Sequence, residues 1–188
     1  PAAVALHAVN KLHIQVADSA VVFGAGPIGN ICAQWLQIKG CKDVVLVDID
    51  ERKLNIARDM GFTTVNPSQC DPVEFVYSFT NGHGADKVIE ACGLGVTLIQ
   101  AIEAAGTFGE VVFIGNLKGD FTMNEDQFSN ILRRELTIYG TWNSKFAPWE
   151  KNEWTAVLEY MDKRLNVGPL ISHVVDLNEG EQIFNMMA

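Results

Sequence analysis

Three glycines lie where a short apolar run ends and a longer amphipathic run begins, in the motif G-A-G-P-I-G. Gly24 permits a tight turn, Gly26 has no side chain to block a pyrophosphate, and Gly29 lets the following helix pack closely on a sheet. Pro27 and Ile28 begin that helix, whose free N–H groups favour a diphosphate. We therefore predict that these five residues bind a dinucleotide. The alternative is a glycine-rich turn without a ligand.

A carboxylate follows at the distance that this kind of site requires. Asp48 lies 19 residues after Gly29, at the end of the second apolar run, where it can accept hydrogen bonds from both hydroxyls of an adenosine ribose. Its charge would repel the 2′-phosphate of NADP, and Ile49 supplies no compensating positive charge, so the sequence favours NAD. We expect Lys53 to flank the adenosine. For Arg52, a solvated position in the first turn of a helix is at least as good an explanation as a role beside the adenosine.

Three further strand ends carry glycine, at the carboxyl edge where open α/β sheets bind their ligands. Glycine there lets the backbone approach a flat ring, so we assign these positions to the nicotinamide side of the cleft. The alternative is that they are ordinary turn glycines. The residues concerned are Cys92 and Gly93, Ile114, Gly115 and Asn116, and Gly140 and Thr141.

No residues with catalytic or metal-binding spacing stand out. His7, His13, His83 and His173 share no metal-ligand spacing with one another or with a cysteine, and Cys92 has no basic neighbour in the sequence to activate it. We find no nucleophile beside a base and no acid–base pair. The chain is therefore expected to hold neither a metal ion nor a catalytic residue.

Four aromatic residues cluster towards the carboxyl end: Trp142, Phe146, Trp149 and Trp154. Such a group could border a substrate cleft. Packing in a core or an interface is the more frequent role of large aromatic side chains at this kind of spacing. The sequence does not decide between these interpretations.

Composition limits the class of protein and of partner. The 188 residues include 14 Lys and Arg against 23 Asp and Glu, a formal charge of −9 at pH 7. This acidic balance argues against nucleic acid and membrane surfaces as partners, because both require a basic patch. The four cysteines match neither a disulfide framework nor a zinc motif, which predicts free thiols in the cytoplasm.

Short β-branched runs alternate with longer amphipathic ones, the pattern of a parallel sheet with crossover helices. We predict a single α/β domain over residues 1–188: a doubly wound, parallel, six-stranded Rossmann sheet. Its strands are expected at 20–24, 43–48, 63–65, 87–91, 110–115 and 136–142. Helices are expected at 2–12, 27–39, 51–60, 72–80, 95–104, 124–134 and 149–164, and after them a strand at 171–175 and a helix at 179–187.

Together these segments resemble the coenzyme domain of the zinc-dependent medium-chain dehydrogenase family, over essentially the whole chain. The resemblance is carried by V-F-G-A-G-P-I-G at 22–29, V-D-I-D at 47–50, A-R-D-M-G-F at 57–62, G-A-D-K-V-I-E-A-C-G at 84–93 and V-V-F-I-G at 111–115. The later stretches 131–142 and 169–173 are most similar to the polyol branch, first to galactitol-1-phosphate dehydrogenases and then to sorbitol (L-iditol) dehydrogenases.

The resemblance implies an oxidoreductase that transfers a hydride between NAD and a zinc-bound secondary alcohol, a polyol or polyol phosphate. In this family the zinc ligands lie in an amino-terminal catalytic domain. Pro1 resembles the proline of the family's Glu-Pro dipeptide, so the chain is expected to be a fragment that binds the coenzyme without catalysis. The segment 120–123 corresponds to an edge strand that joins two copies in a homodimer. A stand-alone NAD-binding redox sensor or regulatory module is the alternative function.

Overall fold

A computed structural model describes residues 1–145, 152–161 and 163–187. Within them, six strands form one sheet in which all the paired strands are parallel. The strands are β1 Ser19–Phe23, β2 Asp43–Val47, β3 Thr63–Val65, β4 Ala85–Glu90, β5 Ala105–Phe113 and β6 Thr137–Gly140. Their order across the sheet is β3-β2-β1-β4-β5-β6. The predicted fold class is confirmed.

Eight α-helices connect or follow these strands in the described part of the chain. They are α1 Ala2–Val9, α2 Pro27–Lys39, α3 Glu51–Asp59, α4 Pro72–Phe79, α5 Gly95–Ala104, α6 Glu125–Arg133, α7 Glu153–Tyr160 and α8 Gly180–Met187. Two short 3₁₀ turns lie at Gly168–Leu170 and Leu177–Glu179. Within the same ranges, no helix combines the length and the apolar character that crossing a bilayer would require.

The sheet separates two hydrophobic cores, because successive side chains of a strand point to opposite faces. On β1, Ala20 and Val22 pack with residues of α1, α2 and α3, whereas Val21 and Phe23 pack with residues of α4 and α5. Strands covered on both faces bury every position, which is why the central strands read as continuous apolar runs. The chain is thus wound over both faces of the sheet.

The strand order reverses between β1 and β4, and this reversal determines where a ligand can enter. After β1 the chain moves outward through β2 to β3, then returns across the sheet to place β4 on the other side of β1. The connections leaving β1 and β4 therefore diverge to opposite faces and leave a crevice at the carboxyl ends of the strands. The glycine-rich segment after β1 lies at this crevice.

The predicted strand at 171–175 is wrong. The structure shows irregular backbone there, with Ile171 57% and Val174 90% exposed. β-Branched residues favour a strand only when a neighbouring strand and a core face are present to pack against, and among the described residues this segment has neither.

Two predicted helices extended too far by three residues or more. The first ends at Val9 rather than at residue 12, since Asn10 already caps it. The part of the helix expected at 149–164 that the structure describes begins at Glu153 and ends at Tyr160, because Met161 has an extended backbone and forms an isolated bridge with Leu165. Residues 149–151 lie outside the described ranges.

Candidate functional site

The glycine-rich segment forms the turn between β1 and α2, and its first and last glycines are required by packing. Gly24 has a φ of +107°, which side chains rarely allow, and it lies against the backbone of Ala91 at the end of β4. A Cβ on Gly29 would overlap the carbonyl group of Gly24. These glycines therefore bring α2 and the end of β4 close to β1.

Gly26 differs from both, because the space beside it is open. It is the N-cap residue of α2, with φ −68° and ψ −179°, and a Cβ placed on it would meet nothing within 4 Å. No side chain caps this helix, Pro27 occupies its first turn and no acidic residue lies there. The positive end of a 13-residue helix thus faces open space, an arrangement that favours an anion.

Asp48 lies beside this turn, immediately after β2, and its side chain is only 9% exposed. Its Oδ2 accepts a hydrogen bond from the Ala25 N–H at 2.9 Å, and its Oδ1 accepts one from the Asp50 N–H at 2.9 Å. The Nζ of Lys53 lies 3.6 Å from Oδ2. A carboxylate has about four acceptor positions, so Asp48 retains capacity for ribose hydroxyls.

A cleft of about 530 Å³ opens at this edge of the sheet. Five of the predicted site residues line it: Gly24, Gly26, Asp48, Lys53 and Cys92. Sequence reasoning did not select the other nine, which are Val47, Ile49, Pro67, Ala91, Leu94, Val96, Thr97, Gln100 and Lys118. Most of them lie at or just after the carboxyl ends of β2, β3, β4 and β5, so the rule that identified the strand-end glycines could have found them.

The strand-end glycines Gly93 and Gly115 contact each other rather than open space. A Cβ on Gly93 would overlap the backbone of Asn116, and a Cβ on Gly115 would overlap the Gly93 amide nitrogen. Ile114 packs partly buried against the core. Close contact between the loops after β4 and β5 therefore accounts for these two glycines, and none of the four residues lines the cleft.

Glu90 holds these two loops together, and sequence reasoning missed it. The residue is fully buried, and its Oε1 accepts hydrogen bonds from the Cys92 and Gly93 N–H groups at 2.8 Å each and from the Thr97 hydroxyl at 2.7 Å. Its backbone carbonyl accepts from Ile114 and Gly115. A buried Glu at the end of a predicted strand was the available signal, since buried carboxylates require partners.

The last predicted pair, Gly140 and Thr141, lies at the end of β6 and does not line the cleft. Gly140 is exposed and a Cβ on it would meet nothing within 4 Å. The Thr141 N–H donates to the Phe113 carbonyl, and its buried hydroxyl has no hydrogen-bond partner among the described residues. Pro27 and Ile28, in the first turn of α2, also lie outside the cleft lining.

Cys92 is the thiol in this cleft, and its chemistry is that of a neutral group. Burial, followed by the charges of Glu90 and Asp48, raises the pKa of Cys92 to about 12. The thiolate is the nucleophilic form of cysteine. Cys92 is thus a small cleft-lining side chain at neutral pH rather than a nucleophile.

Zinc does not fit the side chains that the structure describes. Across residues 1–145, 152–161 and 163–187, no three His, Cys, Asp or Glu residues come together in a metal-binding group. A catalytic zinc ion takes three protein ligands and keeps one position open. The described residues therefore offer no site for a catalytic zinc ion.

The two described residues of the aromatic cluster, Trp142 and Trp154, do not pack in a core. Trp142 is 79% exposed and Trp154 is 53% exposed, whereas Phe146 and Trp149 lie outside the described residues. Neither tryptophan lines the cleft beside Gly26. Core packing is therefore excluded for these two residues.

The model of the family described as "Zinc-binding dehydrogenase" matches residues 27–163, which is most of the chain. The chain belongs to the zinc-binding dehydrogenase family. This membership confirms the resemblance seen in the sequence. The matched region begins at the first residue of α2, directly after the glycine-rich turn, and includes Asp48 and all the strands from β2 to β6.

Among curated relatives of this zinc-binding dehydrogenase chain, galactitol 1-phosphate 5-dehydrogenase of Escherichia coli K12 is 30% identical over 175 residues, covering 92% of the chain and 51% of that enzyme. The crystal structure of galactitol-1-phosphate dehydrogenase from Escherichia coli matches with a TM-score of 0.87 at 28% identity, covering 97% of the chain and 54% of the other. A protein of Sinorhizobium meliloti 1021 solved with NADP matches with a TM-score of 0.85 at 28% identity, covering 97% and 53%. The chain spans about half the length of these relatives.

Proposed function

We propose that residues 1–188 form the NAD-binding domain of a zinc-dependent dehydrogenase acting on a polyol or a polyol phosphate. One observation carries the proposal: Gly26, at the uncapped start of α2, faces open space in the same cleft as Asp48. A diphosphate at the helix and a ribose at the carboxylate would satisfy both features at once. NAD, when bound, supplies a nicotinamide ring that accepts or donates a hydride.

The lining of the cleft supports an adenine at its outer end. Ile49 is 75% exposed, Leu94 46% and Val96 61%, and all three border the cleft together with Pro67. Large apolar side chains that remain exposed around a concave site are typical of a surface that a ligand covers. We propose that the flat purine ring lies among these four residues, next to the ribose on Asp48.

The charges around Asp48 favour NAD over NADP. A 2′-phosphate would approach the Asp48 carboxylate, and the two basic residues that follow Asp48 in the sequence, Arg52 and Lys53, are already paired. The Arg52 guanidinium donates to both oxygens of Asp50, at 3.2 and 2.9 Å, and the Lys53 ammonium lies against Asp48 itself. We therefore propose NAD as the coenzyme of this chain, in contrast to the NADP found in the Sinorhizobium meliloti protein.

The substrate class rests on the relatives, which include enzymes named for galactitol 1-phosphate and for sorbitol. We propose a secondary alcohol of a polyol chain as the group that is oxidised. Because the described residues do not fit zinc, the catalytic metal would be held by a part of the enzyme other than these residues. The chain by itself is then a coenzyme-binding unit without dehydrogenase activity.

The assembly is also a proposal: a homodimer through residues 120–123. In the described structure this segment follows β5, has no regular secondary structure and does not join the sheet, and Phe121 is 43% exposed beside the start of α5. Pairing with a second copy would give the backbone of this segment its hydrogen bonds.

The cellular location is proposed from the cysteines. All four cysteines are free thiols, two of them buried, which is the state expected in the cytoplasm.

Fluorescence titration of the chain with NADH and with NADPH tests the coenzyme proposal. We expect saturable NADH binding and weaker NADPH binding. Equal or tighter binding of NADPH would contradict the NAD assignment, and the absence of binding by either would contradict the function. For the substrate, the enzyme containing this domain should produce NADH from galactitol 1-phosphate or sorbitol, and a zinc chelator should abolish that production.

A further inference from the structure

The side chain of Asn30 holds the glycine-rich turn in place. Asn30 lies in the first turns of α2 and has no exposed surface. Its Nδ2 donates to the Ala25 carbonyl at 2.6 Å and to the Gly26 carbonyl at 3.2 Å. Both partners are carbonyl oxygens, which only accept, so the orientation of the amide is fixed by its neighbours. The Oδ1 of Asn30 is left buried without a hydrogen-bond partner among the described residues.

The Asn30 amide therefore gives its N–H bonds to the turn and leaves its Oδ1 unpaired. A buried acceptor without a partner lowers stability, so this orientation has a cost. We propose that Asn30 is the positioning residue for the diphosphate: it turns the Ala25–Gly26 peptide so that the Gly26 N–H points into the cleft. This inference rests on the proposed function, because it assumes that a dinucleotide occupies the cleft.

The geometry of the peptide bond supplies the connection. In a trans peptide the C=O of one residue and the N–H of the next point in opposite directions, and the peptide bonds here are trans. The Ala25 carbonyl points towards the Asn30 side chain on α2, so the Gly26 N–H must point the other way. No acceptor among the described residues takes the Gly26 N–H, and the space beside Gly26 is open.

The preceding peptide is fixed as well, from the opposite side. The Ala25 N–H donates to Asp48, and the Gly24 carbonyl, which belongs to the same peptide, lies against α2 at Gly29. With both peptides of the turn held, Ala25–Gly26 cannot rotate to direct its carbonyl at an anion. A preorganised donor of this kind binds a phosphate oxygen without reorganisation on binding.

Gln34 provides a matched control on the same helix. It lies one turn further along α2, is likewise buried, and its amide makes two hydrogen bonds, both to the backbone of Asn166. Gln34→Ala therefore removes a buried amide and two hydrogen bonds from α2 without altering the glycine-rich turn. Any loss of coenzyme affinity that comes from a weakened helix should appear in both variants.

The experiment measures NADH affinity by fluorescence titration, and adenosine affinity by competition, for the unaltered chain and for Asn30→Ala, Asn30→Asp and Gln34→Ala. Adenosine lacks the diphosphate, so it separates the turn from the rest of the cleft. We expect Asn30→Ala to bind NADH roughly 10-fold more weakly, the effect of losing one hydrogen bond to a charged group, and to bind adenosine unchanged. Asn30→Asp should lose more NADH affinity, because its carboxylate repels both the Ala25 carbonyl and the diphosphate.

Proton–nitrogen NMR of the unaltered chain gives a second measurement that needs no substitution. The Gly26 amide proton should shift downfield when NADH is added, as its N–H acquires a charged acceptor. A Gly26 signal that does not move on saturation would overturn the inference.

Three binding outcomes also contradict it: Asn30→Ala binds NADH as tightly as the unaltered chain, loses NADH and adenosine affinity equally, or loses no more NADH affinity than Gln34→Ala. If the unaltered chain itself binds no NADH, the proposed function fails and this inference fails with it. Normal NADH binding by the unaltered chain, together with any of the three outcomes, contradicts only the role of Asn30.

Discussion

The Oδ2 of Asp48 accepts a hydrogen bond from the Ala25 N–H at 2.9 Å, which fastens the glycine-rich turn to the end of β2. The residue predicted to hold the adenosine ribose is thus also part of the support of the diphosphate-binding turn. A change at Asp48 should therefore affect both the ribose and the diphosphate ends of the coenzyme.

Asp48→Ala is expected to weaken NADH binding by roughly 1.5 to 3 kcal/mol, the cost of losing hydrogen bonds to a charged group. Asp48→Asn, which retains one carbonyl oxygen but no charge, should bind NADH better than Asp48→Ala does. It should also improve the affinity for NADPH relative to NADH, because the repulsion of the 2′-phosphate is removed. Titration of each variant with both coenzymes measures the effect, and an unchanged NADPH to NADH ratio in Asp48→Asn would contradict it.

Gly26→Val should abolish measurable NADH binding while leaving the fold intact. The added side chain meets nothing in the protein within 4 Å, and Gly26 does not have a positive φ, so the valine fits the chain but fills the space proposed for the diphosphate. Gly180→Val is the matched control, since Gly180 also has open space and no positive φ but lies at the start of α8. Undiminished NADH binding by Gly26→Val would place the diphosphate elsewhere.

A buried ionic cluster links the sheet to the segment after α1 and makes stability depend on pH. Glu110 accepts hydrogen bonds from Lys87 at 2.6 Å, from the His13 backbone at 2.8 Å and from Tyr139 at 2.9 Å, and Asp18 lies 3.5 Å from the Lys87 ammonium. Burial by itself raises the pKa of Glu110, but the hydrogen bonds from Lys87, His13 and Tyr139 outweigh it and lower the pKa to about 2.

The folded pKa of Glu110 lies below its ordinary value of 4.5, so its ionised form stabilises the fold above about pH 4.5, and this contribution is lost as the pH falls towards 2. We expect Glu110→Gln to lower the free energy of unfolding by about 3 kcal/mol at pH 7. The difference between the two proteins should shrink steadily below pH 4.5. Urea unfolding at several pH values checks this, and a difference independent of pH would show that packing, not charge, explains the loss.

Glu90→Ala should destabilise the fold by about 3 kcal/mol, because it leaves the buried Gly93 N–H and the partly buried Cys92 N–H without an acceptor. Glu90→Gln keeps one acceptor oxygen and should be milder. Glu103→Ala serves as the control, since the Glu103 side chain accepts one hydrogen bond, from Gln127, and is partly exposed. Equal stability of Glu90→Ala and Glu103→Ala in urea unfolding would show that the two loops do not depend on Glu90.

The proposed homodimer predicts a light-scattering mass close to twice the 20.7 kDa of one chain. Thr122→Pro removes a backbone donor from the segment 120–123 and should shift the protein towards the monomer. Thr122→Val, which keeps the N–H group and similar size, should remain a dimer. A monomer mass for the unaltered chain at micromolar concentration would contradict this assembly.

The sequence by itself predicted the order of the elements, the wound parallel sheet, the glycine-rich turn and Asp48. These features are local: a period of apolar residues, or glycines at a fixed offset, acts within one strand–turn–helix unit. The same local reasoning failed at 171–175, because a strand also needs a neighbour to pair with. The sequence cannot show whether that neighbour exists.

Tertiary structure decided which buried polar groups meet. Gly93 and Gly115, in the loops after β4 and β5, proved to contact each other instead of open space. The hydrogen-bond partners of Glu110 lie up to 97 residues away from it in the chain. Such contacts depend on how the strands are ordered and how closely the loops at their ends approach. They arise only when the whole sheet has assembled, because a polar group that is buried then loses its water partners and is stabilised by a hydrogen bond from a neighbouring element.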